Sequence, residues 1–278
     1  MIKSILVAID GSVHSEACRR VAVRLARVYE AGVTGLHVVD VRLLEFPPFV
    51  TGAYPIDPAA ASPLPVEILE GFRENADRIT DDFRDALTAE GIRVQVRIEE
   101  GVPSEVISEV ADAYDLLVVG KRGAHARFSE DLVGSTAEQI VRKAGTPVYL
   151  AERENPDPEN LLLLYDGSRP ANNALKLAAD FASHMGTRLR VLTVSGSLDE
   201  AGKIQQDARD YLAAWELEVD FRVVEGELVF TALEELEETP ADLVFLGKRG
   251  HSFLHDLILG STTEQLMRET RVPLVLVP

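Results

Sequence analysis

The stretch DLLVVGKRG at residues 115–123 decides the fold, because a near copy, DLVFLGKRG, returns at residues 242–250. In each copy four apolar residues run directly into Gly-Lys-Arg-Gly. That pattern is typical of a strand that is buried on both faces and ends in a turn. A Gly-Ser-Thr triplet follows each copy, at residues 134–136 and 260–262. The repetition indicates two tandem copies of one structural unit.

The repeat extends over most of the chain. SILVAIDGS at residues 4–12 matches NLLLLYDGS at 160–168, so Asp10 pairs with Asp166 at an offset of 156. The offset falls to 125 at Gly101 and Gly226, which gives the first copy about 30 extra residues. Most of them lie in the Pro- and Ala-rich segment 43–65, where we expect a long ordered loop or flap. The polar segment at residues 151–159 predicts a domain boundary, with domains at residues 1–151 and 159–278.

Strand and helix patterns alternate within each copy. In the first copy we predict strands at residues 5–9, 33–39, 92–98, 116–120 and 147–151. Helices are predicted at residues 15–32, near residues 66–89, from near Pro103 and from near Ser135. The second copy runs through the same order. The predicted fold class is therefore α/β, with two tandem Rossmann-like domains, each a five-stranded parallel sheet flanked by helices.

Composition narrows the function classes. The chain has 278 residues, a formal net charge of −18 and a single cysteine, Cys18. An acidic chain is a poor non-specific ligand for nucleic acid, and no run of about 18 apolar residues predicts a membrane span. The N-terminus lacks the pattern of a signal peptide, so we expect a cytoplasmic protein, with Cys18 as a small core residue.

The ends of the first, second and fourth strands are the places to look for a ligand, since parallel α/β sheets bind ligands beyond the carboxyl ends of their strands. Asp10 and Asp166 end the first strands, and the two GKRG motifs end the fourth. Glycines let backbone N–H groups approach an anion closely, and a helix N-terminus favours negative charge. These features predict a phosphate site. The alternative is that the glycines only shape turns and that Ser135 and Ser261 only cap helices.

With these motifs in view, the chain resembles the universal stress protein family in its tandem-domain form. The resemblance covers nearly the whole chain apart from the inserted segment. It rests on AIDGS and LYDGS, LHVVD, the two GKRG strands, and GSTAEQ and GSTTEQ followed by TPV and VPL. The nucleotide-binding branch of that family carries G-x2-G-x9-G-(S/T), and the second copy matches this spacing in full.

The resemblance implies an adenine nucleotide, ATP or AMP, which Mg²⁺ could accompany, and the adenine nucleotide alpha hydrolase-like form of the fold. It implies that Asp166 and Val194 contact adenine and ribose, and that the phosphates are held by Gly247, Gly250, Gly260, Ser261 and Thr262. In the first copy the same positions are Asp10, Val38, Gly120, Gly123, Gly134, Ser135 and Thr136. The two copies are expected to form an internal pseudo-dimer through their last strands, and a further homodimer stays open.

The two copies differ in one spacing. Ten residues separate Gly123 from Gly134, where the family pattern has nine. The additional residue must bulge outward or shift Gly134, and Glu130 and Asp131 add negative charge near the triplet. We therefore expect the second site to bind more tightly than the first.

The charged residues inside and after each GKRG have two interpretations. Lys121-Arg122 and Lys248-Arg249 could clamp phosphates, or they could be solvated or pair with local acids such as Asp115 and Asp242. The histidines at 125, 251 and 255 have no metal-ligand spacing and are expected to be loop residues. His37 is expected to pack at a strand end.

The leading hypothesis is a regulatory or sensor protein that binds an adenine nucleotide in the stress response, with an unidentified protein partner. The alternative is a slow ATP-hydrolysing or nucleotidyl-transferring enzyme. Neither first strand is followed by a G-x4-G-K-(S/T) loop, and we predict no catalytic residue. A dinucleotide or flavin module is disfavoured, because the glycines follow the fourth strand and not the first.

Overall fold

The computed structural model describes residues 1–42, 66–123, 133–248 and 260–278, with the side chains of 66–69 left out. The first copy runs through β1 Ser4–Ala8, α1 Val13–Tyr29, β2 Gly32–Asp40, α2 Val66–Ala89, β3 Val94–Gly101, α3 Pro103–Ala111, β4 Leu116–Gly120, α4 Ser135–Lys143 and β5 Val148–Ala151. The second copy runs through β6 Asn160–Leu164, α5 Arg169–Met185, β7 Arg188–Ser195, α6 Leu198–Leu212, β8 Val219–Glu225, α7 Leu228–Glu238, β9 Leu243–Gly247, α8 Ser261–Glu269 and β10 Leu274–Val277.

The strands form one ten-stranded sheet in the order β3-β2-β1-β4-β5-β10-β9-β6-β7-β8. Neighbouring strands within each copy are parallel. The two copies meet where β5 pairs with β10 in antiparallel register, with Tyr149 opposite Val275. The predicted α/β class, the parallel sheets and the joining of the copies through their last strands are confirmed.

Each face of the sheet carries its own apolar layer, because the central strands are buried on both sides. One layer contains Ile5 and Val7 of β1 with residues of α1, α2, α5 and α6. The other contains Leu6 of β1 with residues of α3, α4, α7 and α8. Both layers continue from one copy into the other. Cys18 lies in the first layer and is fully buried, as expected for a small core residue.

In each copy, an Asp-Gly-Ser turn after the first strand determines where the next helix begins. Asp10-Gly11-Ser12 and Asp166-Gly167-Ser168 each turn from strand to helix, with both glycines at positive φ. The Ser12 hydroxyl accepts the N–H of Ser15, and the serine of the second copy caps its helix in the same way. These turns bring the two aspartates to the carboxyl edge of the sheet.

The third strand differs from its prediction. It begins at Val94 and continues to Gly101, whereas the apolar pattern predicts residues 92–98. Its last residues pair with the end of β2, Asp40 opposite Gly101, so strand pairing extends it beyond its apolar run. The predicted flap at 43–65 lies outside the described residues.

Candidate functional site

A cavity of about 670 Å³ opens at the carboxyl ends of β1, β2 and β4 in the first copy. All seven residues predicted for this site line it: Asp10, Val38, Gly120, Gly123, Gly134, Ser135 and Thr136. They come from three strand ends and from the start of α4, although they span 127 residues of sequence. The structure therefore brings the predicted set of the first copy together around one space.

Asp10 is held at the wall of this cavity by the turn that follows β1. Its Oδ1 accepts the N–H of Ser12 at 2.9 Å, and its own N–H donates to the Ser15 hydroxyl at 3.3 Å. A Cβ added to Gly123 would lie 3.0 Å from the Asp10 Oδ2. A glycine at 123 thus lets the loop after β4 come close to the carboxylate.

The start of α4 faces the cavity without a side-chain cap. Gly134 is the N-cap residue and makes no side-chain cap bond, and Ser135 is already the first helical residue. The helix α8 begins in the same way at Gly260 and Ser261. The alternative that Ser135 and Ser261 serve as helix caps is therefore wrong. A helix start left in this state presents N–H groups and a positive dipole end to an anion.

The cavity wall also carries polar residues that the sequence analysis did not assign to the site. His37 lines it, and because a carbonyl only accepts, its Nδ1–H donates to the Ile9 carbonyl at 2.9 Å. Asp40 and Arg42 form a two-bond pair, Nε to Oδ1 at 2.8 Å and Nη2 to Oδ2 at 2.6 Å.

A sequence signal for one of these residues was present. Side chains two apart on a strand share a face, so the choice of Val38 at the end of β2 also pointed to Asp40. Phe72 and Asn75 of α2 line the cavity as well. The sequence could not predict these two residues as part of the site, because nothing in it determines which face of α2 points to the cavity after the inserted segment.

The GKRG lysines do not reach the cavity. Lys121 is buried, with Nζ 2.5 Å from Glu152 Oε1 and hydrogen-bonded to the Thr270 carbonyl. Lys248 is buried too, with Nζ 2.6 Å from the Ala144 carbonyl. The lysine part of the phosphate-clamp hypothesis is therefore wrong. Arg122 does line the cavity, so its part stays a prediction, and Arg249 lies outside the described residues.

The other interpretation, pairing with local acids, is confirmed for Lys121, whose partner is Glu152, but Asp115 and Asp242 are not the partners of the lysines. Asp115 accepts the N–H groups of Lys3 and Ser4 through Oδ2 at 2.8 and 2.9 Å. Asp242 accepts those of Glu159 and Asn160, both at 2.9 Å. Each aspartate precedes the fourth strand of its copy and fixes the start of the first strand beside it.

The second copy repeats the scaffold as far as the structure describes it. Asp166 Oδ1 accepts the Ser168 N–H at 2.9 Å, Val194 lies half-buried near the end of β7, and Gly247 ends β9. A Cβ on Gly247 would lie 2.8 Å from Pro170, so the fourth strand approaches the helix start closely. Gly260, Ser261 and Thr262 begin α8, and Gly250 lies outside the described residues.

The electrostatics near Gly120 involve His14. Partial burial and the Arg122 guanidinium lower the pKa of His14 below its ordinary value, against the opposing effect of Asp10.

Among the described residues, no cluster of three or more His, Cys, Asp or Glu side chains offers a metal site. None of the helices in the described part of the chain has the length and apolar character needed to cross a membrane.

Comparison with known proteins identifies the family. The model of the universal stress protein family matches the chain twice, over residues 1–151 and 158–278. The chain belongs to the universal stress protein family. A universal stress protein of Synechocystis sp. is 25% identical over 293 residues, which cover 99% of each chain. One from Mycolicibacterium smegmatis is 25% identical and is covered to 96%, with 98% of this chain aligned.

The fold is also found among solved structures. A universal stress protein from Archaeoglobus fulgidus superposes with a TM-score of 0.78 at 24% identity, covering 99% of this chain and 97% of that one. One from Pseudomonas aeruginosa gives a TM-score of 0.69 at 16% identity. The tandem two-domain arrangement is thus shared with other members of the family.

Proposed function

We propose that this universal stress protein binds an adenine nucleotide, ATP or AMP, and acts as a regulatory or sensor module in the stress response. The observation that carries the proposal is the cavity of the first copy, where Asp10, the GKRG glycines and the uncapped start of α4 meet. Its size suits a small-molecule ligand, since ligand pockets typically span about 300–1,000 Å³.

The chemistry of the lining residues supports one orientation of the nucleotide. The phosphates would lie against Gly120, Gly123 and the first turn of α4, where backbone N–H groups and the helix dipole favour anions. Adenine and ribose would lie toward Asp10 and Val38, with Ser135 and Thr136 offering hydroxyl donors to the phosphates. The same roles in the second copy fall to Asp166, Val194, Gly247, Gly250, Gly260, Ser261 and Thr262.

Mg²⁺ enters only as a companion of the nucleotide, where it would neutralise phosphate charge. The nucleotide would order the loop after β4 and so change the surface presented to a protein partner. The tighter binding expected at the second site, from its nine-residue spacing, is part of the same proposal.

A thermal-shift titration of the full chain with ATP, AMP, NAD and a cyclic nucleotide tests the proposal. ATP or AMP should raise the midpoint, because a ligand at a hundred times its Kd adds about 2.7 kcal/mol to the free energy of unfolding. Absence of any shift with all four ligands would refute it. Phosphate release measured on the same samples, well above that of a Gly134→Ala variant, would favour the enzyme alternative.

A further inference from the structure

The two lysines of the GKRG motifs are the most deeply buried cations among the described residues. Lys121 is 3% exposed and Lys248 is 5% exposed. Lysine is almost never fully buried unless it is paired, because leaving water is costly for its charge. What each ammonium group contacts should therefore matter to the protein.

Both ammonium groups reach across the interface between the copies. Lys121 of the first copy donates to the carbonyl of Thr270, the C-cap residue of α8. Lys248 of the second copy donates to the carbonyl of Ala144, the C-cap residue of α4. Ala144 and Thr270 are equivalent positions of the repeat, so the two contacts are reciprocal. A cation at a helix C-terminus satisfies carbonyls that have no partner in the helix and complements the negative end of its dipole.

The backbone groups of the same lysines also fix the start of each candidate phosphate loop, at residues 120–123 and 247–248. The Lys121 N–H donates to the Ala151 carbonyl at 2.8 Å, and its carbonyl accepts the N–H of Gly134 at 2.8 Å. Lys121 is thus fixed at its backbone and at its side-chain tip, between Gly120 and Arg122 at the cavity wall. In the second copy the Lys248 N–H donates to Val277 at 2.8 Å, and its carbonyl accepts from Gly260 at 3.3 Å.

We infer that Lys121 and Lys248 are positioning residues that fix the backbone at residues 120–123 and 247–248, where each candidate phosphate loop begins, against the other copy. The loop of the first site is tied to the end of α8, whose own start belongs to the second site. The loop of the second site is tied to the end of α4, whose start lines the first cavity. Each site is therefore supported from the other copy, although every residue that lines the first cavity belongs to the first copy. The inference rests on the proposed nucleotide function only where it concerns affinity.

Binding measurements on the full chain test the effect on affinity. Lys121→Met should weaken ATP binding about 3- to 30-fold, the range expected when a supporting contact outside the ligand is lost. Adenosine, which has no phosphates, should bind with unchanged affinity, and Lys121→Arg should restore part of the loss. Lys143→Met is the matched control, because it removes a surface lysine that contacts Glu105 at 3.0 Å. It should leave both affinities unchanged.

Hydrogen exchange of the proteins without nucleotide tests the positioning separately. Lys121→Met should speed exchange in residues 119–123, and Lys248→Met should speed it in residues 140–144. If the wild-type chain bound no nucleotide but these changes appeared, the proposed function would fail and the positioning role would stand. Unaltered exchange in both variants would overturn the inference. Equal weakening of ATP and adenosine would also overturn it, because that points to general damage. If Lys121→Met does not fold, Lys121→Gln replaces it in both measurements.

Discussion

Gly120 and Gly134 both line the cavity but differ in what an added methyl group would meet. A Cβ on Gly120 would lie 2.8 Å from the Arg122 carbonyl oxygen and 3.0 Å from His14 Cβ. A Cβ on Gly134 would have its nearest neighbours at 3.5 Å, an ordinary contact distance. The fold therefore requires a glycine at 120, whereas at 134 only the approach of a ligand would require one.

This difference predicts two distinct phenotypes. Gly120→Ala should destabilise the protein by about 1–3 kcal/mol, because the loop must move to remove the clash. Gly134→Ala should change the free energy of unfolding by less than about 0.5 kcal/mol and still weaken ATP binding, since its methyl group occupies the anion's side of the helix start. Urea unfolding and ATP titration measure the two effects. Full ATP affinity in Gly134→Ala would mean that this glycine only shapes the turn.

Asp115 predicts a pH dependence of stability. Burial raises its pKa, but the backbone N–H of Lys3 and the N–H and hydroxyl of Ser4 outweigh this and lower it. The folded state then binds the proton less readily than the unfolded state. The stability that Asp115 contributes is present above its ordinary pKa, about 3.9, and is lost as the pH falls below it.

Asp115→Asn should accordingly cost about 1 kcal/mol at neutral pH, the usual net value of a hydrogen bond, and the difference from wild type should shrink toward pH 3. Urea unfolding across that pH range provides the measurement. A difference that stays constant with pH would contradict the role given to the carboxylate.

At the scale of elements, the sequence predicts most of the architecture because strands buried on both faces leave continuous apolar runs, as in LLVVG and LVFLG. The family resemblance names seven residues that the structure brings together around the first cavity, and their role in binding stays a prediction. The contacts that the Lys121 and Lys248 side chains make could not be predicted. Each crosses to the other copy, and a sequence pattern carries no information on which helix end lies opposite a loop.

The helix starts give a paired prediction. The Ser12 hydroxyl caps α1 by accepting the Ser15 N–H at 3.2 Å, so Ser12→Ala should lower stability by about 1 kcal/mol. Ser135 makes no cap bond at α4, so Ser135→Ala should leave the stability of the nucleotide-free protein unchanged and weaken ATP binding. Thermal unfolding with and without ATP separates the two effects. A stability loss in Ser135→Ala without ATP would contradict the distinction.

At the scale of the whole molecule, the two copies should unfold as one unit. One apolar layer runs through both copies, and Phe181 of α5 contacts Tyr29 of α1 at 5.7 Å and Phe245 of β9 at 5.1 Å between ring centroids. Phe181→Ala should cost about 3–5 kcal/mol. It should also lower the unfolding midpoint of both copies, and hydrogen exchange of their central strands measures this effect in each copy. Loss of stability confined to the second copy would show that the copies are independent.

Hydrogen exchange of the full chain with and without saturating ATP tests the central claim most directly, because it reports both binding and its place. The account predicts slower exchange in residues 119–123 and 134–140 of the first copy and in the start of α8, with β3 and β8 unchanged. No change in these segments, or protection found only elsewhere in the chain, would contradict it.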